Sequence, residues 1–328
     1  MNVIEVLKQK ARELDEPILS FLDEGKPENL MDACRHYPKA GGKRMRPVLA
    51  VTIADAVGGK GELALPYGAA LEIIHNFTLV HDDVMDNDDT RRGTPAVHTV
   101  WGMPTAIIAG DALFARAFEI ISDLDIPDAD VRKVLRYTSR TVWELAEGQQ
   151  MDMNNEEADA IDRATYIETV EKKTGALFGS SLAGGAIIGG ADDELVKNAY
   201  DFGRQMGVAF QIQDDVLGLK GDQSKFGKPV GSDIRNGKKT LIVVDALERM
   251  PEGKERDALT AALGNADASD EQVQAAIAAL ESFGSIDRAE QAARDYVIDS
   301  KAKLAALPEG PDKDFLMALA DYAISRQV

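Results

Sequence analysis

Residues 71–93 read LEIIHNFTLVHDDVMDNDDTRRG. The first ten are apolar apart from Glu72, His75, Asn76 and Thr78, so they predict a helix buried over most of its surface. That helix runs into acid. Asp82 and Asp86 fall one turn apart on one face, with Asp83 beside them. Like charges at that spacing destabilise a helix by roughly 0.2–0.5 kcal/mol per pair. Carboxylates also sit badly at a helix C-terminus, where the macrodipole is negative. The cluster calls for a compensating cation. Mg²⁺ takes a few carboxylates and completes its octahedron with water and phosphate oxygens. A solvated acidic helix end is the competing reading.

A second segment repeats the theme. In residues 210–218, FQIQDDVLG, Gln211, Asp214, Asp215 and Gly218 form an i, i+3, i+4, i+7 stripe. The position one turn beyond the pair is Gly218, so this cluster is poorer in acid; Asp222 and Asp233 lie downstream. Around both acidic segments the chain reads at helical period. Helices are expected over about 2–23, 26–36, 43–57, 62–87, 104–122, 128–149, 163–172, 175–189, 193–219, 238–248, 256–263, 269–282, 284–305 and 311–326. Pro and Gly clusters mark the breaks, among them Pro38–Gly42 and Lys220–Gly231. No run of alternating β-branched residues suggests a sheet, and no break is long enough for an interdomain linker. The expected fold is all-α, with residues 1–328 forming one large helical bundle whose central helices are apolar nearly all round.

Composition agrees. The 328 residues are 45% hydrophobic and only 6% aromatic, which suits a large helical core. Acidic residues number 56 against 37 basic, a net charge of −19. So acidic a surface argues against nucleic-acid or anionic-membrane partners. The single cysteine, Cys34, excludes an intrachain disulfide and a cysteine-based zinc site. Two uncharged stretches, Gly93 to Gly110 and Thr174 to Ala191, approach membrane-spanning length. Their prolines, glycines and serines read instead as buried helix or loop, and the expected setting is soluble and cytoplasmic.

Basic residues are scarce, yet they gather near the acidic segments. Gly41-Gly42-Lys43-Arg44-Met45-Arg46 sets three cations behind a glycine pair, a pattern suited to an approaching phosphate. Arg91 and Arg92 follow the first cluster. Lys172-Lys173-Thr174 and the Gly- and Lys-rich stretch from Lys225 to Lys239 complete the set. Each alone reads as solvated surface; with two Asp pairs they suggest a site for more than one phosphorylated ligand. Glu72 and His75 form a Glu-x-x-His pair, half of a di-iron carboxylate site. None of the other histidines (36, 81, 98) has Glu three residues before it. No P-loop or dinucleotide fingerprint occurs, and nothing supports a serine or cysteine nucleophile.

Taken in order, these motifs resemble those of the trans-prenyltransferases, the all-helical isoprenyl diphosphate synthases. The resemblance rests on Gly41 to Pro47, the Asp-Asp-x-x-Asp of Asp82, Asp83 and Asp86, Arg91-Arg92-Gly93, Lys173-Thr174, Gln211 with Asp214-Asp215, and Gly227-Lys228 to Lys238. It implies a bundle of the isoprenoid synthase type with a central apolar cavity, in which Asp82, Asp83 and Asp86, with Asp214 and Asp215 across the cavity, hold Mg²⁺, several ions per site, on an allylic diphosphate. It gives Arg91, Lys173, Thr174, Gln211, Lys228 and Lys238 contacts to that substrate. Lys43, Arg46, His75 and Arg92 would bind isopentenyl diphosphate. The sequence departs from farnesyl-type members at Gly218, and its tail, ending Ser325-Arg326-Gln327-Val328, carries one Arg where some relatives have more. The resemblance also suggests a homodimer working in isoprenoid lipid biosynthesis.

By periodicity Phe77 is a core phenylalanine. It lies five residues before Asp82, about 7–8 Å along the helix axis. Family members set product length just upstream of this motif, so the resemblance makes Phe77 the candidate floor of the cavity, with Thr78 and Ile74 as neighbours. One aromatic and no insertion between Asp83 and Asp86 look most like the archaeal type of geranylgeranyl diphosphate synthase. A C20 product is therefore expected, with farnesyl diphosphate and C25 as alternatives. A class I terpene cyclase and a non-catalytic partner subunit remain as further readings. The first needs no second diphosphate site, and the second would have degraded Asp pairs.

Overall fold

Among the described residues the regular structure is helical apart from one hairpin of two-residue strands, in keeping with the 3.6-residue patterning. A computed structural model describes residues 2–220 and 230–326. In chain order come α1 (Val3–Ser20), α2 (Glu28–Ala40), α3 (Met45–Gly58), α4 (Gly61–Asp86), β1 (Thr90–Arg91), β2 (Thr94–Pro95), α5 (Val97–Trp101), α6 (Met103–Ser122) and α7 (Asp128–Glu157). Then follow α8 (Arg163–Val170), a π-helical turn (Glu171–Gly175), α9 (Ala176–Gly189), α10 (Asp193–Lys220), α11 (Ser232–Arg235), α12 (Leu241–Arg249), α13 (Lys254–Ala262), α14 (Asp270–Ser282), α15 (Ser285–Lys303) and α16 (Pro311–Ser325).

The chain divides into two compact units. Unit 1 comprises Met1–Arg140, Leu177–Tyr200 and Leu304–Ala318. Its centre is α4, which lies against α3 and α6. Leu71, Ile73 and Ile74 are fully buried, and each such side chain contributes about 1.5–3 kcal/mol of burial free energy. α9 also belongs here, and it packs very close to α3: a Cβ at Gly185 would stand 2.3 Å from the Ala50 carbonyl oxygen, so only glycine fits. The Tyr67 hydroxyl, on α4, donates to the Ser180 carbonyl at 2.8 Å. Of the described helices α4 alone is long and apolar enough to cross a membrane by length and composition, and 61% of its apolar window is buried inside the protein. The stretch 174–191 becomes α9, 14 residues long.

Unit 2 comprises Thr141–Ala176, Asp201–Lys303 and Leu319–Val328. Thr240 starts α12 by accepting from the Val243 N–H, and Ser269 with Gln272 forms a capping box for α14. Asp245 of α12 receives Arg288 Nη2 at 2.7 Å and Ser285 Oγ at 2.7 Å, both from α15.

Several boundaries differ from expectation. α2 continues through Pro38 to Ala40, because a proline near the last turn costs only one helical hydrogen bond. α7 runs on to Glu157 rather than stopping at 149. The segment after Asp86, read as loop, contains a hairpin turning at Arg92 and Gly93, both at positive φ (53° and 76°). α5 follows it. The break at 172–175 is a π-helical turn and not an interruption.

Candidate active site

Unit 1 holds two charged groups of opposite sign. α4 ends at Asp86, where Asn87 adopts the left-handed conformation and its N–H returns to the Asp83 carbonyl. Asp82 is half-buried, Asp86 exposed and Asp83 buried. The hairpin then folds Arg91 back over them. Arg91 Nε donates to Asp83 Oδ1 at 2.5 Å, and Nη2 reaches Asp82 Oδ2 at 3.4 Å. The other Asp83 oxygen accepts from the Tyr37 hydroxyl of α2, which itself accepts from the Val97 N–H at 3.3 Å. Burial would weaken the Arg91 charge, but Asp83 and Asp82 outweigh it and hold the guanidinium above its ordinary pKa.

The second group is cationic. Gly41 at φ 82° and Arg44 at φ 46° bend the chain into α3. Arg44 is structural: it is buried, with Nε on Asp15 at 2.8 Å, Nη1 on Glu72 at 3.0 Å and Nη2 on the Pro38 carbonyl at 2.6 Å. Arg46 differs. Its Nε is buried without a partner, and its guanidinium lies 4.9 Å from the centre of the Phe178 ring. Burial, together with the charge of Arg92, brings its pKa down to about 10 against the pull of Glu72. His75 is held well below its ordinary value by burial and by the charges of Arg46, Arg92, Arg91 and Arg44, so it stays neutral near pH 7. Arg92 donates to the Gly41 carbonyl; burial lowers its pKa too. Lys43 is exposed on the same loop. Cations whose charge is disfavoured where they stand are matched to an incoming anion.

Further down α4, Phe77 packs edge-on to His81, ring centres 5.0 Å apart, and against Phe114 of α6 at 5.5 Å. Thr78 turns its hydroxyl to the His75 carbonyl at 2.8 Å, and Ile74 is fully buried.

Unit 2 carries the second acidic pair. Asp215 is buried on α10, with Oδ2 accepting from the Tyr166 hydroxyl of α8 at 2.7 Å. Its Oδ1 accepts from Gln211 Nε2 at 3.1 Å and Lys238 Nζ at 3.3 Å. Burial and nearby Asp233 push the Asp215 carboxyl up against the opposing pull of Lys238. Asp215 and Asp233 keep Lys238 firmly charged although burial opposes it. Thr174 donates to Gln211 Oε1 at 3.2 Å, and Lys173 pairs with Asp152 at 2.6 Å. Asp214 meets the C-terminal Arg326 at 2.7 Å. Arg326 also donates to the Phe210 carbonyl at 2.7 Å and lies 3.6 Å from the centre of that ring. Gly218 leaves room that Asp233 approaches: a Cβ at 218 would be 3.4 Å from Asp233 Oδ2. Lys228 lies outside the described residues.

The structure thus gathers Asp82, Asp83 and Arg91 in one group and Gln211, Asp215 and Lys238 in another. Nothing in the sequence singles out Tyr37, Asp152 or Tyr166, which enter these groups through tertiary contacts. Among the described residues no three acidic, imidazole or thiol side chains converge to hold an ion by themselves. Such a donor set fits Mg²⁺, which prefers carboxylate oxygens and takes its remaining ligands from water and phosphate.

A sequence model described as polyprenyl synthetase matches residues 27–280. The chain is 43% identical over 324 residues to a geranylgeranyl pyrophosphate synthase of Geoglobus acetivorans, covering 99% of both chains. A crystal structure of geranylgeranyl pyrophosphate synthetase from Pyrococcus horikoshii superposes with a TM-score of 0.92 at 42% identity, over 99% of this chain and 98% of that one. At 30% identity, a polyprenyl synthase from Caulobacter crescentus, complexed with calcium and isoprenyl diphosphate, gives a TM-score of 0.89 over 99% and 97% of the two chains.

Proposed function

The chain belongs to the polyprenyl synthetase family, and from that premise we propose that it joins isopentenyl diphosphate to an allylic diphosphate to make geranylgeranyl diphosphate. It is a prenyltransferase with the all-helical isoprenoid synthase fold. The observation that carries the two-substrate reading is the cationic group of Arg46, His75 and Arg92. It is a candidate anion site separate from the acidic motif, and a terpene cyclase has no use for it. Both Asp pairs are intact, which disfavours a non-catalytic subunit.

In this reading Asp82, Asp83, Asp86, Asp214 and Asp215 serve the Mg²⁺-bound allylic diphosphate, together with Arg91, Lys173, Thr174, Gln211, Lys228 and Lys238. Bound Mg²⁺ supplies Lewis-acid stabilisation of charge on the departing diphosphate. Arg91 and Lys238, kept charged by their aspartates, add fixed positive charge to the same end. Lys43, Arg46 and Arg92 hold isopentenyl diphosphate, and neutral His75 offers it a hydrogen bond without adding charge. The allylic C–O bond breaks to leave a carbocation, the alkene of isopentenyl diphosphate attacks it, and the released diphosphate takes the proton lost from the new chain. Apolar walls keep water from the cation. Support for magnesium comes from the donor set and from the calcium-bound Caulobacter relative.

Phe77 is our candidate for the floor that sets a C20 product. Incubation with labelled isopentenyl diphosphate, farnesyl diphosphate and Mg²⁺ should yield labelled geranylgeraniol after dephosphorylation. Failure to incorporate label with any allylic primer overturns the reading, and a C15 or C25 end product revises its length. Phe77→Ser should lengthen the product by at least one C5 unit; an unchanged chain length removes Phe77 from that role. We take both units as one catalytic domain, since the family match runs through both. We also propose a cytoplasmic homodimer. The exposed apolar residues Val100, Met103, Ile107 and Ile108 on α5 and α6 support an interface there. Light scattering should give twice the chain mass for the wild type and the monomer mass for Ile108→Asp.

A further inference from the structure

The two Asp pairs share a design that their sequences do not reveal. Neighbouring residues on a helix point about 100° apart, so one member of each pair turns inward and the other outward. The inward member is the second in both cases. The side chains of Asp83 and Asp215 are 1% and 2% exposed, against 20% for Asp82 and 33% for Asp214. Each inward carboxylate is gripped in the same way. One oxygen accepts from a tyrosine hydroxyl on another helix: Tyr37 on α2, 46 residues before Asp83, and Tyr166 on α8, 49 residues before Asp215. The other oxygen takes a cation, Arg91 in one case and Lys238 in the other.

We infer that Tyr37 and Tyr166 are positioning residues: each fixes the inward aspartate of one pair, so that its partner cation and the outward aspartate meet the metal–diphosphate in one set geometry. This rests on the function proposed above and extends it to two residues that the reading of the site gave no role. A carboxylate held at one oxygen only can rotate about its last bond and carry its cation with it. The tyrosine hydroxyl removes that freedom. Both hydroxyls are buried and reach an aspartate on a helix far away in the chain, so replacing either by hydrogen deletes a support without altering a ligand. Loss of such outer supports costs about 10–100-fold in metal affinity at characterised metal sites.

A third buried tyrosine provides the control. The Tyr67 hydroxyl bonds to Ser180 and Thr138 and touches no aspartate. Tyr37→Phe, Tyr166→Phe and Tyr67→Phe therefore delete the same atom in three surroundings. For each full-length variant, calorimetry would follow Mn²⁺ binding in the presence of inorganic diphosphate, and steady-state kinetics would give both substrate KM values and the Mg²⁺ needed for half-maximal rate. Tyr37→Phe and Tyr166→Phe should weaken Mn²⁺ binding and raise the Mg²⁺ requirement about tenfold. The allylic KM should rise with them while that for isopentenyl diphosphate stays within about twofold. Tyr67→Phe should lower the melting temperature and leave those quantities unchanged. If the first two variants only melt earlier, as Tyr67→Phe does, or raise both KM values alike, the inference falls. An inactive wild type would instead sink the proposed function, and the Mn²⁺ arm would still decide the role of the tyrosines. A tyrosine variant that fails to fold is replaced by Tyr37→Met or Tyr166→Met, which also lack the hydroxyl and leave both aspartates intact, in the same Mn²⁺ measurement. There, a loss of affinity below about tenfold counts against the inference.

Discussion

At the end of α4, three carboxylates lie within five residues, and a hairpin immediately downstream returns Arg91 to them. On α10 the acidic cluster has two carboxylates and a glycine where a third would fall. Its other parts arrive from far along the chain: Lys238 and Asp233 from around α11, Tyr166 from α8, Arg326 from the C-terminus. The first cluster is thus mostly local and the second mostly assembled by tertiary folding. A locally built cluster concentrates its acid on one helical turn, so loss of any one carboxylate should be felt strongly. An assembled cluster spreads the work over several segments and should lose less per residue.

The sharpest test compares the two pairs directly. Asp82→Ala should cut turnover by roughly a thousandfold or more, with the helical circular-dichroism spectrum kept, and excess EDTA should abolish wild-type turnover. Asp214→Ala should cost less than Asp82→Ala. A larger loss at Asp214 would reverse the ranking, and full activity in EDTA would falsify the metal reading altogether. The next effect lies outside both pairs. Arg46→Ala should raise the KM for isopentenyl diphosphate about thirtyfold, the scale of a lost charged hydrogen bond, and move the allylic KM little. The opposite pattern would mean that the two substrate sites are exchanged.

A smaller effect separates the clusters again. Arg326 meets Asp214 in a partly exposed pair, so Arg326→Ala should lower the Mg²⁺ concentration for half-maximal rate by about threefold, in line with the strength of such pairs. A rise would make Arg326 a substrate contact and not a competitor of the cation. The smallest change is Gly218→Ala. Its Cβ would stand at ordinary contact distance from Asp233, and alanine favours a helix over glycine by about 1 kcal/mol. Chemical denaturation should show that gain with turnover unchanged. A large loss of activity would show that the open space at 218 is itself required.

The same local-versus-assembled contrast explains what could be seen in the sequence. The apolar run 71–80 and the spacing of Asp82, Asp83 and Asp86 fix a helix and a cluster by period alone, because i and i+4 relations survive any tertiary arrangement. The stripe of Gln211, Asp214 and Asp215 is legible for the same reason. Tyr37 and Tyr166 are not, since a tyrosine 46 or 49 residues from its partner leaves no periodic trace. Asp152 lies in a polar run of α7 whose one marker is Gly148, and its pairing with Lys173 needs the fold. The hairpin does carry a local signal: Arg92-Gly93 is a two-residue turn with glycine at a positive-φ position. α7 overruns its expected end because residues 149–157 contain neither glycine nor proline, and their glutamines, methionines and glutamates are good helix formers.

The π-helical turn at Glu171–Gly175 comes directly after α8 and leads into α9 without a break. It holds Lys173, and it presses against α7 so closely that a Cβ at Gly148 would lie 2.4 Å from the Lys173 nitrogen. A π turn amounts to one residue inserted into an α-helix, with weaker hydrogen bonding than the helix it interrupts. Deleting any one of the five residues would let ordinary α-helix re-form and would redirect the side chains of the turn itself, Lys173 and Thr174 among them. Stability alone favours that deletion. At this place in the chain, therefore, the number of residues carries functional information that no single side chain does, and a change of length here can disarm the enzyme while strengthening its fold.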